Sequence, residues 1–149
     1  MRNLFDLRGK KALITGGGGL LGPKHAEAIL EYGGKVVLAD WHLDRAQEKA
    51  ASLNEKFNND FTIAEYINVT DKESIDKILT KHPDINILIN NAAKDPKVKK
   101  DAGLTVESRF ETMTQDYWRQ GIDAALNGTF LCSQRASNLM LKNGGGVIL

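Results

Sequence analysis

Thr15-Gly16-Gly17-Gly18-Gly19-Leu20-Leu21-Gly22 lies between a short apolar run, Lys11-Ala-Leu-Ile-Thr15, and a segment opening on Pro23. The run is halted by glycines, which reads as a buried strand. Proline at the head of the next segment, where its missing N–H costs nothing, reads as the start of a helix. Ala26, Ile29, Leu30 and Gly33 then recur at i, i+3, i+4 and i+7, a narrow face for packing on a sheet. Strand, glycine turn and helix are together what a pyrophosphate requires: a tight turn, bare backbone, and a helix N-terminus aimed at its charge. Glycine supplies the first two because it lacks a Cβ and tolerates positive φ. Gly22 at the helix mouth also allows close helix–strand packing. Gly16, Gly18, Gly19, Leu21 and Gly22 are the candidate contacts from this loop.

The unit closes on a second strand, Lys35-Val-Val-Leu-Ala-Asp40, after Gly33-Gly34 ends the helix. Asp40 stands eighteen residues beyond Gly22, at the carboxyl end of that strand. There a carboxylate can accept hydrogen bonds from the ribose hydroxyls of an adenosine and would repel a 2′-phosphate. Trp41 rather than arginine comes next, with no evident partner for such a phosphate, so the expected cofactor is NAD rather than NADP. A glycine-rich structural turn beside a surface aspartate is the competing reading; the strand–turn–helix context weighs against it.

Outward from this unit the pattern keeps alternating. Leu43, Ala46, Ala50, Leu53 and Phe57 stripe a second helix, and Asn58-Asn59-Asp60 turns into a third strand, about Phe61 to Ile67. Thr70 and Glu73 read as a capping box for a third helix with Ile75, Ile78 and Leu79 inward. Pro83-Asp84 precedes a fourth strand, Ile85 to Asn90; a long polar connection from Ala93 leads to a helix from near Thr114 to Leu141. Gly144-Gly145-Gly146 ends it, and Val147-Ile-Leu149 begins a fifth strand. Alternation throughout implies right-handed crossovers and a Rossmann-type, doubly wound parallel sheet in a three-layer αβα domain spanning 1–149. The chain's 149 residues suffice for one such domain, and 42% apolar with 26% charged residues is a globular composition. A net charge of +1 offers no footprint for nucleic acid or an anionic membrane. No apolar run suggests a signal peptide or a span, so the expected location is cytoplasmic. The lone cysteine, Cys132, is expected to be a buried apolar residue; His25, His42 and His82 are scattered without metal-ligand spacing.

With these motifs in hand the chain resembles a short-chain dehydrogenase/reductase. Phe5-Asp-Leu-Arg-Gly-Lys10 is similar to that family's lead-in, Asn68-Val69-Thr70 to its Asp-Val-Thr element, and Asn90-Asn91-Ala92-Ala93 to its Asn-Asn-Ala-Gly signature. The resemblance implies that Asn68 and Val69 border the adenine, that Asn91 and the Ala92–Ala93 backbone line a cofactor ribose, and that Asn90 ties strands together. With Asp40 and Trp41 these complete the candidate cofactor set. Two departures stand out. Leu20 occupies a position where the single-domain branch has glycine, so that Gly16-x-x-Gly19-x-x-Gly22 matches an epimerase-like branch instead; and Asn68 replaces an aspartate. Asn-Asn-Ala-Ala followed by Asp-Pro-Lys and Arg109-Phe110-Glu111 is also similar to bacterial dehydrogenases of surface- or flagellin-sugar modification.

The resemblance implies hydride transfer assisted by a Tyr-x-x-x-Lys pair and a serine after the fifth strand. Four residues beyond Tyr32, Tyr66 and Tyr117 stand Val36, Thr70 and Gly121. Leu126-Asn127-Gly128-Thr129-Phe130 is similar to an Asn-Leu-x-Gly-x-Phe segment with Ala125 at the asparagine. No catalytic residue is therefore assigned. The reading is of the NAD-binding part of an oxidoreductase acting on an alcohol or carbonyl substrate, sugar derivatives included, with the 149 residues alone expected to be inactive. A non-catalytic dinucleotide-binding module and an epimerase-like nucleotide-sugar enzyme are the alternatives. The fifth strand is expected at an unpaired edge, favouring homo-oligomers through that edge or the long fourth helix. The run Lys94-Asp95-Pro96-Lys97-Val98-Lys99-Lys100 reads as a solvated loop, with an anion-attracting lid as the functional alternative.

Overall fold

A computed structural model describes residues 5–94, 98–99, 103–104 and 109–149. Five strands form one parallel sheet: β1 (Lys11–Thr15), β2 (Lys35–Asp40), β3 (Thr62–Tyr66), β4 (Ile87–Ile89) and, after a two-stranded antiparallel pair β5 (Val98–Lys99) and β6 (Gly103–Leu104), β7 (Val147–Ile148). Their spatial order is β3-β2-β1-β4-β7. The chain therefore winds one way from β1 to β3 and the other way from β4 to β7. The reversal opens a crevice between the carboxyl ends of β1 and β4, where ligands bind in sheets of this kind.

Helices α1 (Gly22–Glu31), α2 (Leu43–Phe57), α3 (Lys72–Lys81), α4 (Gln115–Ile122) and α5 (Gly128–Lys142) provide the outer layers. Alternate residues of the central strands point to opposite faces. Ala12, Ile14, Val36 and Leu38 join Ala26, Leu30, Ala46, Ala50 and Leu53 of α1 and α2 in one core. Leu13, Val37, Ala39 and Leu88 join Ile75, Ile78 and Leu79 of α3 and Cys132, Ala136 and Met140 of α5 in the other. Two cores on the two faces of one sheet make the three-layer αβα architecture, and the short all-apolar strands are those of a sheet covered on both sides. Burial pushes the Cys132 thiol up to about 12, in keeping with a packing role.

Several local expectations are corrected. The cap of α3 is Asp71, whose side chain accepts from the Glu73 N–H at 3.0 Å; Thr70 instead turns its hydroxyl to Asn68 Oδ1 at 2.8 Å. An aspartate directly before the helix reaches the free N–H without the extra residue that Thr70 would have to span. The fourth strand begins at Ile87, two residues later than expected; Asn86 ahead of it is bound to Lys11 twice, its N–H donating to Lys11 O at 3.1 Å and its Oδ1 accepting the Lys11 N–H at 3.0 Å. The long fourth helix is not uniform: between α4 and α5 lies a π-helical turn, Asp123–Asn127, in which the Gly128 N–H reaches back to Asp123 O. Such a turn leaves a carbonyl without its ordinary partner, and Thr129 Oγ1 donates to Ala125 O at 2.7 Å. Most of the lysine-rich run, 95–97 and 100, lies outside the described residues.

At the sheet margin β7 pairs only with β4 among the described residues, in the register Ile87↔Val147 and Leu88↔Ile148, and Val147 is 53% exposed. On the opposite flank, Glu65 of β3 accepts from Lys81 at 2.6 Å and meets His82 Nε2 at 3.0 Å, clamping β3 to the end of α3. No helix of the described residues is long and apolar enough to cross a membrane.

Candidate cofactor-binding site

The crevice is built from the glycine loop outward. Gly16 takes φ +66°, and a Cβ there would stand 2.9 Å from Ala92 Cα. Gly17 hangs from β2 through its N–H to Ala39 O at 3.0 Å, and its own Cα lies where a Cβ on Gly22 would come within 2.7 Å. The loop is thus folded flat between β2 and the mouth of α1. At that mouth the N–H groups of Leu20 and Leu21 have no partner among the described residues, and both side chains are exposed. Free amides at the positive end of α1 are donors for an anion, the chemistry the sequence expected of this loop.

Asp40 faces the same loop. Its Oδ2 accepts the Gly18 N–H at 2.9 Å, and its Oδ1 accepts the His42 N–H at 2.8 Å. Two backbone donors fix the carboxylate, and each oxygen keeps lone-pair capacity toward a ligand hydroxyl. Trp41 lies beside it, 63% exposed, its indole N–H donating to His42 Nε2 at 3.0 Å. Arg45, in the first turn of α2, presses its Cβ to within 2.9 Å of where a Cβ on Gly18 would be. A basic residue is therefore rooted beside this corner, which the sequence pattern alone did not indicate.

The β4 side of the crevice is tied to β1 by Thr15. Its hydroxyl accepts the N–H groups of Asn91 and Ala92, each at 3.1 Å, and is 3.5 Å from Ile89 O. The Asn91 amide donates to both Thr15 O and Gly16 O at 3.1 Å, so its side chain fastens the two strand ends. Asn90 does the same farther out, donating to Ser133 Oγ at 3.1 Å and Leu149 O at 3.2 Å. Asn68 turns its Oδ1 onto the Thr70 N–H and hydroxyl, and Val69 is buried in the core, where a Cβ on Gly128 would meet it at 2.7 Å. Ala93 is exposed on the rim.

Thr15 and Gly17 were not singled out from the sequence. A threonine ending an otherwise apolar buried strand was the available signal, since a buried hydroxyl has to find partners. Thr15→Val keeps the shape but strands two amide donors, and is expected to cost about 2–4 kcal/mol of stability in urea unfolding. A loss below about 0.5 kcal/mol would remove Thr15 from this role.

The arrangement fits a dinucleotide: free amides at a helix mouth, a fixed carboxylate across the loop, and a gap between oppositely wound halves of the sheet. Residues 10–149 match the family model described as short chain dehydrogenase. The chain belongs to the short-chain dehydrogenase family.

Among relatives within this family, an NAD-dependent glycerol dehydrogenase of Listeria innocua is 29% identical over 149 residues, covering 97% of this chain and 53% of that protein. A short-chain type dehydrogenase/reductase from Mycobacterium marinum superposes with a TM-score of 0.82 at 28% identity, covering 98% of this chain and 56% of that one. The NADPH-dependent 3-quinuclidinone reductase of Rhodotorula rubra superposes at 0.77 with 25% identity, covering 97% and 52%. The chain spans about half the length of the curated relatives it matches.

Within the short-chain dehydrogenase frame, Ala125 is exposed and carries no polar side chain toward the crevice. The Asn127 amide is engaged within the helix, donating to Asp123 Oδ1 at 2.8 Å across the π-helical turn. Among the described residues no cluster of three or more His, Cys, Asp or Glu forms a metal site.

Proposed function

We propose that this chain is the NAD-binding part of an oxidoreductase that interconverts a hydroxyl and a carbonyl group, and that its 149 residues bind the dinucleotide without turnover. The observation that carries the reading is the Asp40 carboxylate fixed by the N–H groups of Gly18 and His42, tied through Gly18 to the loop whose Leu20 and Leu21 amides are without a partner among the described residues. The loop amides and the N-terminus of α1 would hold the pyrophosphate. Asp40 would accept from the adenosine ribose hydroxyls beside Trp41. Asn68 and Val69 would border the adenine, and the Ala92–Ala93 backbone, positioned by Asn91 and Thr15, would line the second ribose. When bound, the cofactor supplies a hydride donor or acceptor. The reading of inactivity is supported by the sequence, in which no tyrosine is followed four residues later by lysine and Ala125 stands where the family resemblance expects asparagine. Self-association belongs to the same proposal.

Calorimetric titration with NAD and NADP tests it. NAD is expected to bind in the micromolar range and NADP at least about tenfold more weakly, the expected consequence of one like charge beside the 2′-phosphate. Tighter binding of NADP, or heat from neither cofactor, would overturn the assignment.

A further inference from the structure

Lys94, the first residue of the lysine-rich run, is held in place rather than waving in solvent. Its Nζ donates to Gln120 Oε1 at 2.5 Å and stands 4.0 Å from the centroid of the Tyr117 ring. Both partners belong to α4, and both are neutral. The acid on that helix is engaged elsewhere: Asp116 pairs with Arg119 at 3.2 Å. Among the described residues no carboxylate lies within ion-pair distance of Lys94, whereas Lys24, Lys56 and Lys81 each have a glutamate. A ring face and an amide oxygen orient an ammonium without cancelling its charge. Lys94 is also half-buried, so water screens it incompletely. A fixed, partly desolvated cation with no carboxylate beside it among the described residues is a receptor for an anion.

Its place in the fold says which anion. Lys94 comes directly after Asn91, Ala92 and Ala93 at the carboxyl end of β4, across the switch point from Asp40. A dinucleotide with its adenosine at Asp40 and its phosphates at α1 directs its other half toward β4. The ammonium therefore stands at the reacting end of the crevice, where the second substrate enters.

We propose that Lys94 determines substrate class by binding a carboxylate or phosphate group on the alcohol or carbonyl compound, so that the substrate is an anionic hydroxy compound such as a hydroxy acid or a phosphorylated polyol. This rests on the cofactor reading for the direction of the crevice. The test monitors the lysine side-chain NMR signals of the isotopically labelled chain, with the Lys94 signal identified by Lys94→Gln. Glycerate, glycerol 3-phosphate and neutral glycerol are titrated with and without NAD. The Lys94 signal is expected to shift saturably with at least one of the anions, at about tenfold lower concentration than any response to glycerol. The two anions distinguish a carboxylate from a phosphate seat, and other lysines should respond weakly and without saturation. Gln120→Glu gives Lys94 a carboxylate at the same distance, and is expected to abolish the saturable shift while leaving the NAD titration unchanged. A Lys94 response no different from that of the other lysines, or one that persists in Gln120→Glu, overturns the proposal. NAD binding without a Lys94 response sinks this inference alone; a saturable Lys94 response without NAD binding sinks the cofactor reading alone.

Discussion

Replacing Gly22 with alanine is expected to abolish measurable dinucleotide binding while leaving the fold intact but weakened. A Cβ at this position would stand 2.7 Å from Gly17 Cα, 2.8 Å from Gly16 O and 2.9 Å from Gly17 O. All three are backbone atoms, so no flexible side chain can swing aside. The loop itself has to lift off the mouth of α1. Overpacking of this kind costs about 1–3 kcal/mol of stability, readable as a lower urea midpoint. The larger effect is on the ligand, because the free amides of Leu20 and Leu21 move with the loop. Hydrogen bonds to a charged group are worth about 1.5–3 kcal/mol each, so misplacing them lowers affinity by about a hundredfold or more. Titration of Gly22→Ala alongside the parent chain checks this. Undiminished affinity would mean that the phosphates sit elsewhere.

Asp40→Asn is expected to lower NAD affinity by about 10- to 100-fold and to reverse the cofactor preference. The substitution preserves size and one acceptor oxygen. It turns the other into an amino group that faces either the Gly18 or the His42 N–H, where the carboxylate now accepts at 2.9 and 2.8 Å. It also removes the negative charge that opposes a 2′-phosphate, with Arg45 rooted by its Cβ beside the same stretch of loop. NADP should therefore gain as NAD loses. An unchanged ratio of the two dissociation constants would show that Asp40 serves only to hold the loop. A parallel Arg45→Gln variant assigns any NADP gain to that cation.

The parts of the fold that arise from local chemistry could be read before any coordinates. Apolar periodicity located β1, β2 and α1 to α3, and Cys132, expected inside as a lone cysteine in a helical segment, lies on the buried stripe of α5. What could not be read depends on register across the sheet. Nothing local says that the Thr15 hydroxyl reaches the amides of residues 76 and 77 positions later, or that Asn91 grips both Thr15 and Gly16. Those contacts exist because β1 and β4, distant in sequence, lie side by side. The same holds for Lys94 and Gln120 of α4, which meet across 26 positions of sequence. Asp71 was a different miss: threonine and aspartate are both good caps, and the choice between them turns on where the chain leaves Asn68.

The π-helical turn at Asp123–Asn127 gives the molecule a length-sensitive joint. It accommodates a residue that ordinary winding has no room for. Deleting one residue there would restore uniform pitch and rotate everything ahead of it by about 100° relative to α5. Tyr117 and Gln120 would then swing away from the strand ends and release the ammonium they now aim. Homologues that have lost that single residue should thus differ in which compounds they accept, even where every crevice residue is the same.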